Sequence, residues 1–331
     1  MMADVVAGIL LFGVLAYAMF GGADFGAGFW DLTAGGARRG RRARARIDRS
    51  VGPVWEGNHT WLIFCLVVVW TGFPGVFAAV TTTLYLPLGL AALGIVLRGS
   101  GFAFRKAVDT VEHQRIWGAA FAASSVITPF FLGTVAGAVA SGRVPEQGHG
   151  DPLSSWVNPS SLYTGVLAVA ICAYLAAVFL AADAHGARDD ELERYFRRRA
   201  WGCALVTGVL ALAGLAVANL DAPRLFAGLF GPALPAVVVS VLAGAAALLL
   251  LPRYSPRLVR ALAALAAALL VVGWGAAQYP YLLGTHTPVA VAAAPPATLA
   301  ALTVIFVVAA ALVVPSFLLL YLLAQRARLE E

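Results

Sequence analysis

Nine apolar runs, each long enough to cross a lipid bilayer, fix the fold class before any single residue is considered. They cover residues 5–30, 50–72, 76–97, 116–140, 161–185, 200–219, 234–252, 258–279 and 298–323, and a helix needs about 20 mostly apolar residues to traverse the hydrocarbon core. Lipid offers no hydrogen bonds, so runs of this length are stable there as helices. With 61% hydrophobic residues, 12% charged residues and a mean hydropathy of +0.84, the chain reads as an all-α, polytopic transmembrane protein of about nine spans. Residues 1–331 form one integral-membrane domain on this reading. The first run lacks a basic leader and a small-residue cleavage site, so it is expected to be a retained span.

Charge sets the expected orientation. Basic residues crowd alternate connections: the arginines between 38 and 49, then Arg98, Arg105, Lys106 and Arg115, then five arginines between 188 and 199, then Arg253, Arg257 and Arg260, then Arg326 and Arg328. The opposite connections hold only Arg143 and Arg224. By the positive-inside rule the N-terminus is outside and the C-terminus cytoplasmic, and an eight-span arrangement breaks the alternation. The formal charge of +6 is thus a matter of topology, and no nucleic-acid partner is expected. Pro53, Pro87, Pro129 and Pro315 lie in or at spans, where local kinks are expected. The outer loop 141–160 reads as an ordinary surface connection, and the uncharged stretch 280–297 lies beside Tyr279, Tyr281 and His286 at an aromatic belt.

Inside the spans, polar residues are few and therefore informative. Asp24, in "AMFGGADFGAGFWDL", and Glu56, in "VGPVWEGNHTWLIF", are acids with apolar sequence on both sides. Intramembrane carboxylates are costly and by default mark a water path or a protein interior. The plainer alternative is a structural hydrogen bond or a carboxylate reaching back to the interface. Asp24 lies seven residues before Asp31 and Glu56 seven after Arg49, which places both roughly 10 Å below the inner boundary. Antiparallel spans 1 and 2 then bring the two acids to one pocket, and Gly21, Gly22, Gly26 and Gly28 allow close helix approach there. Glu56 and Trp55 share a helix face with His59, while Asn58 and Trp61 share the neighbouring face.

His59 has no second histidine at its depth, because His113 and His149 fall in loops and His185 and His286 near interfaces. A hydrogen-bonded histidine is the better reading than a haem or metal ligand. Cys65, Cys172 and Cys203 form no CxxC pair and read as packing residues. No nucleotide-binding, zinc-protease or hydrolase motif occurs, so no self-contained catalytic site, cofactor or metal is expected in the chain.

"GGADFGAGFWDL" and "GPVWEGNHTWLI" resemble the paired signatures of subunit II of cytochrome bd-type quinol oxidases. The second, W-[DE]-G-N-x-x-W-L, is specific and the first looser. The resemblance continues weakly through "LYLPLGLAALGIVLRGSGFAFR" and "AADAHGARDDELERYFRRRAWG", and beyond span 5 it is mainly one of hydropathy. It implies a multi-pass protein of the bacterial cytoplasmic (inner) membrane that packs, itself haem-free, against a haem-bearing subunit I carrying haem b and haem d. A membrane quinol and lipid are the further partners, with a small single-span accessory subunit in some assemblies.

The resemblance also assigns roles. Glu56 and Asp24 are expected in proton transfer from the cytoplasm to the oxygen-reducing haem, with Trp55, Asn58, His59, Trp61 and Arg98 shaping the pocket. Family members commonly carry an acid within the segment that here reads Gly101-Phe102-Ala103-Phe104-Arg105. The proton entrance then falls to Asp109 or Glu112 in the same loop, or to another route. The glycines of span 1 and the small residues of span 3 are the expected contact with subunit I. Two other readings remain at this stage: a proton-coupled secondary transporter using Asp24 and Glu56 as coupling acids, and a purely structural scaffold for a haem-bearing partner.

Overall fold

Prolines start five of the thirteen helices among the described residues. A proline at the first helical position forfeits no hydrogen bond and presets the backbone, and Pro74, Pro159, Pro223, Pro256 and Pro296 each open a helix. The computed structural model describes residues 1–36, 40–51, 55–107, 111–251, 256–284 and 287–330, with the backbone alone given at 51, 55, 56, 105–107, 111–115, 314, 317, 318 and 320–330. Its helices are α1 (Met2–Leu32), α2 (Arg41–Val51), α3 (Trp55–Gly72), α4 (Pro74–Thr83), α5 (Tyr85–Ala107), α6 (Val111–Ala140), α7 (Pro159–Gly186), α8 (Asp190–Asp221), α9 (Pro223–Leu229), α10 (Leu234–Leu250), α11 (Pro256–Gln278), α12 (Val289–Ala292) and α13 (Pro296–Glu330). Strands β1 (Tyr281–Leu283) and β2 (Thr287–Pro288) form an antiparallel hairpin between α11 and α12.

Among the described residues seven helices are long and apolar enough to span a membrane, and the count is nine if the bent pairs α3–α4 and α9–α10 are one span each. The bends are 118° and 76°. They fall at Phe73-Pro74 and at the turn 230–233, not at the prolines singled out above: Pro129 and Pro315 lie inside continuous helices, and Pro53 lies outside the described residues. The residue before a proline is driven out of the helical region, and Phe73 takes φ −139°, ψ 62°. The third span is shifted accordingly. The segment from 76 belongs to α4, a break falls at Leu84, and α5 runs on to Ala107.

α1 and α7 are the central helices. α7 packs against α1, α6, α8 and α11, and α1 also packs on α3, α6 and α13. Without hydrophobic exclusion between helices, packing comes from small residues and interhelical hydrogen bonds. Trp30 Nε1 donates to the Ala173 carbonyl at 2.8 Å, Tyr163 Oη to that of Leu210 at 2.6 Å and Ser240 Oγ to that of Ala266 at 2.8 Å. The glycine run of α1 is consumed inside the chain: Gly26 abuts the Cys172 backbone of α7 and Gly28 abuts Ser125 of α6. It therefore does not serve as the surface for a partner, and within the first hairpin the close approach is made by Gly13 against Phe64 and Cys65.

The two ends of the bundle carry different chemistry. At one end Arg44 pairs with Asp31 at 2.9 Å, Arg260 with Asp183 at 3.5 Å, and Arg42 with Asp189 at 3.2 Å. At the other, Arg143 pairs with Asp221 at 2.5 Å, Arg224 stacks over Tyr281 at 3.7 Å and Tyr279 bonds Asp4 at 3.2 Å. The connection 141–160, read as an ordinary one, and the stretch 280–297 both carry packed local structure. Asn158 caps α7 through the Ser161 N–H at 2.9 Å, and Leu283, Val289 and Ala294 bury themselves with Val6 and Phe73 over the ends of α1 and α3. His286 lies outside the described residues.

Candidate functional site

The interior polar site is assembled by four helices. Asp24 and Phe25 come from α1, His59 from α3, Arg98 from α5, and Phe121 and Ser125 from α6. Arg98 is the largest fully buried side chain of the described residues. Its Nη2 donates to Asp24 Oδ1 at 2.6 Å and to the Asp24 carbonyl at 2.9 Å, while Nη1 donates to Ser125 Oγ. The ion pair is 1% and 2% exposed. Its guanidinium lies 4.3 Å from the Phe121 ring and 5.1 Å from that of Phe25, a cation–π environment that partly replaces lost hydration.

Arg98 therefore corrects its reading as a loop arginine. The apolar run ends just before it, but α5 continues helically through Gly99-Ser100-Gly101, which sets Arg98 nine residues short of the helix end at Ala107. A charge so placed needs a partner in the interior, and Asp24 is that partner.

The ion pair leaves polar capacity unused. Asp24 Oδ2 and Arg98 Nε are buried without a hydrogen-bond partner among the described residues. Both ring nitrogens of His59 are buried, its ring meets Phe25 edge-on at 6.3 Å, and it is within electrostatic reach of Asp24 and Arg98. Asn58 is buried. Trp61 lies apart from this group, stacked on Phe20 at 6.5 Å and edge-on to Phe12 and Phe64 at 5.7 and 6.1 Å.

Glu56 and Trp55 lie in the first turn of α3, but their side chains are outside the described residues. So is Asp109, and so is the side chain of Glu112, whose backbone belongs to α6. Sequence reasoning missed Ser125, Phe121 and Phe25. The signal for Ser125 was present, since Ser124, Ser125 and Thr128 make a polar stripe at helical spacing in an apolar span. The three cysteines are free, and no cluster of three or more metal-ligating side chains occurs among the described residues.

A polytopic helical bundle with a buried carboxylate–guanidinium pair close to His59 of α3 defines an integral-membrane protein with an interior charge site. The cytochrome bd terminal oxidase subunit II family model matches residues 2–324, and the chain belongs to that family. This sets aside the secondary-transporter reading and makes the chain a multi-pass protein of the bacterial inner membrane. It is 27% identical over 203 residues to cytochrome bd ubiquinol oxidase subunit 2 of Bacillus subtilis, covering 61% of this chain and 57% of the relative. To cytochrome bd-I ubiquinol oxidase subunit 2 of Escherichia coli K12 it is 29% identical over 218 residues, 63% of this chain and 54% of that one. The chain thus spans little more than half the length of these relatives. Its fold matches a chain of the bd oxidase from Geobacillus thermodenitrificans with a TM-score of 0.79 and 25% identity, over 97% of this chain and 98% of that one.

Proposed function

We propose that the chain is the haem-free second subunit of a membrane quinol:oxygen oxidoreductase of the cytochrome bd type. In this role it supports a haem-bearing subunit I and conducts protons from the cytoplasm to the oxygen-reducing site. The observation that carries the reading is the buried Asp24–Arg98 pair, with Asp24 Oδ2 left without a hydrogen-bond partner among the described residues and His59 in electrostatic reach, in a chain of this family. Burying an ion pair in lipid-spanning helices is expensive. A shell that fixes the charges while leaving one carboxylate oxygen unspent suits proton passage better than mere packing.

On this reading Glu56, one to two turns into the membrane from Arg49, is the carrier, and Asp24 is the anionic acceptor on its path. Proton uptake begins at the arginine-rich end, through Asp109 or Glu112. The N-terminus is outside, the C-terminus is cytoplasmic, and residues 1–331 act as one membrane domain. Haem b and haem d belong to subunit I on this reading, and His59, edge-on to Phe25 near an ion pair, serves as a hydrogen-bonding histidine. The exposed apolar faces of α8 and α13, with residues such as Val209, Leu212, Ile305 and Leu312, are the surfaces for lipid, subunit I and a small single-span accessory subunit.

The test is Glu56→Gln in the complete oxidase. The variant keeps its shape but cannot titrate. It should assemble with full haem content and reduce oxygen with quinol about tenfold more slowly, or worse, in line with general proton-transfer contributions. Turnover at the parent rate across neutral pH would make the subunit a scaffold.

A further inference from the structure

We infer that Ser125 is a positioning residue: with Phe121 it clamps Arg98 from the α6 side and so fixes the orientation of the Asp24 carboxylate. The inference rests on the proton-conducting reading above and concerns how its charges are held in place.

A serine hydroxyl has one proton to give. Ser125 Oγ donates it to the Phe121 carbonyl at 2.6 Å, so the lone pairs that remain are directed to Arg98 Nη1, which donates to the same oxygen. The hydroxyl cannot rotate away without giving up the carbonyl. Phe121 contributes twice, through this carbonyl and through its ring, 4.3 Å from the guanidinium. The guanidinium is therefore held at both ends, Nη1 by α6 and Nη2 by Asp24. A planar fork anchored on one side has little freedom to pivot on the other, so Oδ1 of Asp24 stays committed and Oδ2 remains the oxygen without a partner among the described residues.

Gly28 makes the clamp possible. A Cβ there would lie 2.0 Å from Ser125 Oγ and 2.8 Å from Arg98 Nη1, so α1 passes directly over the serine–arginine contact. Among the described residues the groups in electrostatic reach of the pair from the packed helices are Tyr17 on α1, His59 on α3 and Cys172 on α7.

Ser124 provides the internal control. It is as deeply buried as Ser125 and its hydroxyl also donates to the Phe121 carbonyl, at 2.8 Å, but it makes no hydrogen bond to Arg98. Loss of a buried hydroxyl as such should weigh equally on both.

The experiment compares Ser125→Ala, Ser124→Ala and Glu56→Gln in the intact oxidase, reading haem content, quinol KM, kcat for oxygen reduction and the solvent deuterium isotope effect on kcat. Ser125→Ala should assemble, keep its quinol KM, lose about tenfold in kcat and show a larger isotope effect, the expected cost of a misplaced charge. Ser124→Ala should stay within about twofold of the parent. If Ser125→Ala assembles poorly, Ser125→Cys, nearly isosteric with a weak acceptor, carries the same comparison. Equal effects from the two serines overturn the positioning role, as does a slowed Ser125→Ala whose isotope effect is unchanged. Glu56→Gln slow with Ser125→Ala at the parent rate overturns the positioning role and leaves the proton reading standing. Glu56→Gln at the parent rate removes the proton reading, and the positioning role with it.

Discussion

Gly26 and Cys172 meet backbone to backbone: a Cβ on Gly26 would lie 1.8 Å from the Cys172 carbonyl oxygen. The contact sits where α1 crosses α7, one turn before Trp30 donates to the Ala173 carbonyl. Glycine is used here for close approach of backbones, the small-residue strategy of membrane helices. The crossing also brings Asp24 into the interior, since Asp24 and Gly26 lie on the same buried stretch of α1.

Gly26→Ala is expected to force α1 away from α7. Overpacking costs about 1–3 kcal/mol, and here the obstacle is backbone, which cannot swing aside. Thermal unfolding of the purified oxidase in detergent should show a clear fall in midpoint. Gly8→Ala, where a Cβ meets nothing within 4 Å, should leave it unchanged. Equal midpoints for the two variants would mean that the crossing tolerates a methyl group.

A second expectation follows from the burial of the Asp24–Arg98 pair. Removing one partner of such a pair strands a charge in the interior, at a cost of about 3–5 kcal/mol, whereas replacing both by apolar groups is far milder. Arg98→Leu should therefore abolish or sharply reduce accumulation of the assembled oxidase. Asp24→Leu combined with Arg98→Leu should recover much of that accumulation without recovering oxygen reduction. If the double variant is as unstable as the single one, the pair is stabilised by contacts beyond its own charges.

How far the site was legible depended on where each signal lay. Asp24 announced itself, because a lone acid in an apolar run has few uses. Its partner was placed in the pocket by the resemblance alone, not by its own sequence position. Arg98 follows directly on the end of an apolar run and precedes Gly99-Ser100-Gly101, so hydropathy assigned it to a loop, and only tertiary packing shows that α5 continues past it. The spans were read from the length of continuous apolar runs, a property local to each run. The 118° bend at Phe73-Pro74 falls in the gap read between the second and third runs, but the second break, at Leu84, was hidden because residues on both sides are apolar and hydropathy is blind to direction. The glycines were read correctly as close-contact residues but given the wrong neighbour, since small-residue spacing states that a helix approaches, not which one.

The last expectation concerns acid sensitivity at the arginine-rich end. Asp189 caps α8 by accepting the Leu192 N–H at 3.1 Å and receives Arg42 at 3.2 Å on each oxygen, joining α2 to α8 outside the spans. The Leu192 amide, and then Arg42, hold its carboxyl below the ordinary aspartate value of 3.8. A group whose folded value is depressed stabilises the fold above its unfolded value and loses that contribution as pH falls through the folded one. The stabilisation is thus complete at neutral pH and fades as the solution is acidified below about pH 4. Asp189→Asn keeps an acceptor for the cap but not the charge, so its midpoint should lie below the parent at pH 6 and converge with it on acidification. Asp189→Ala loses the cap as well, about 1 kcal/mol more, and should stay below the parent at every pH. Parallel midpoint curves for the parent and Asp189→Asn would show that the charge contributes nothing and that the cap alone holds α2 against α8.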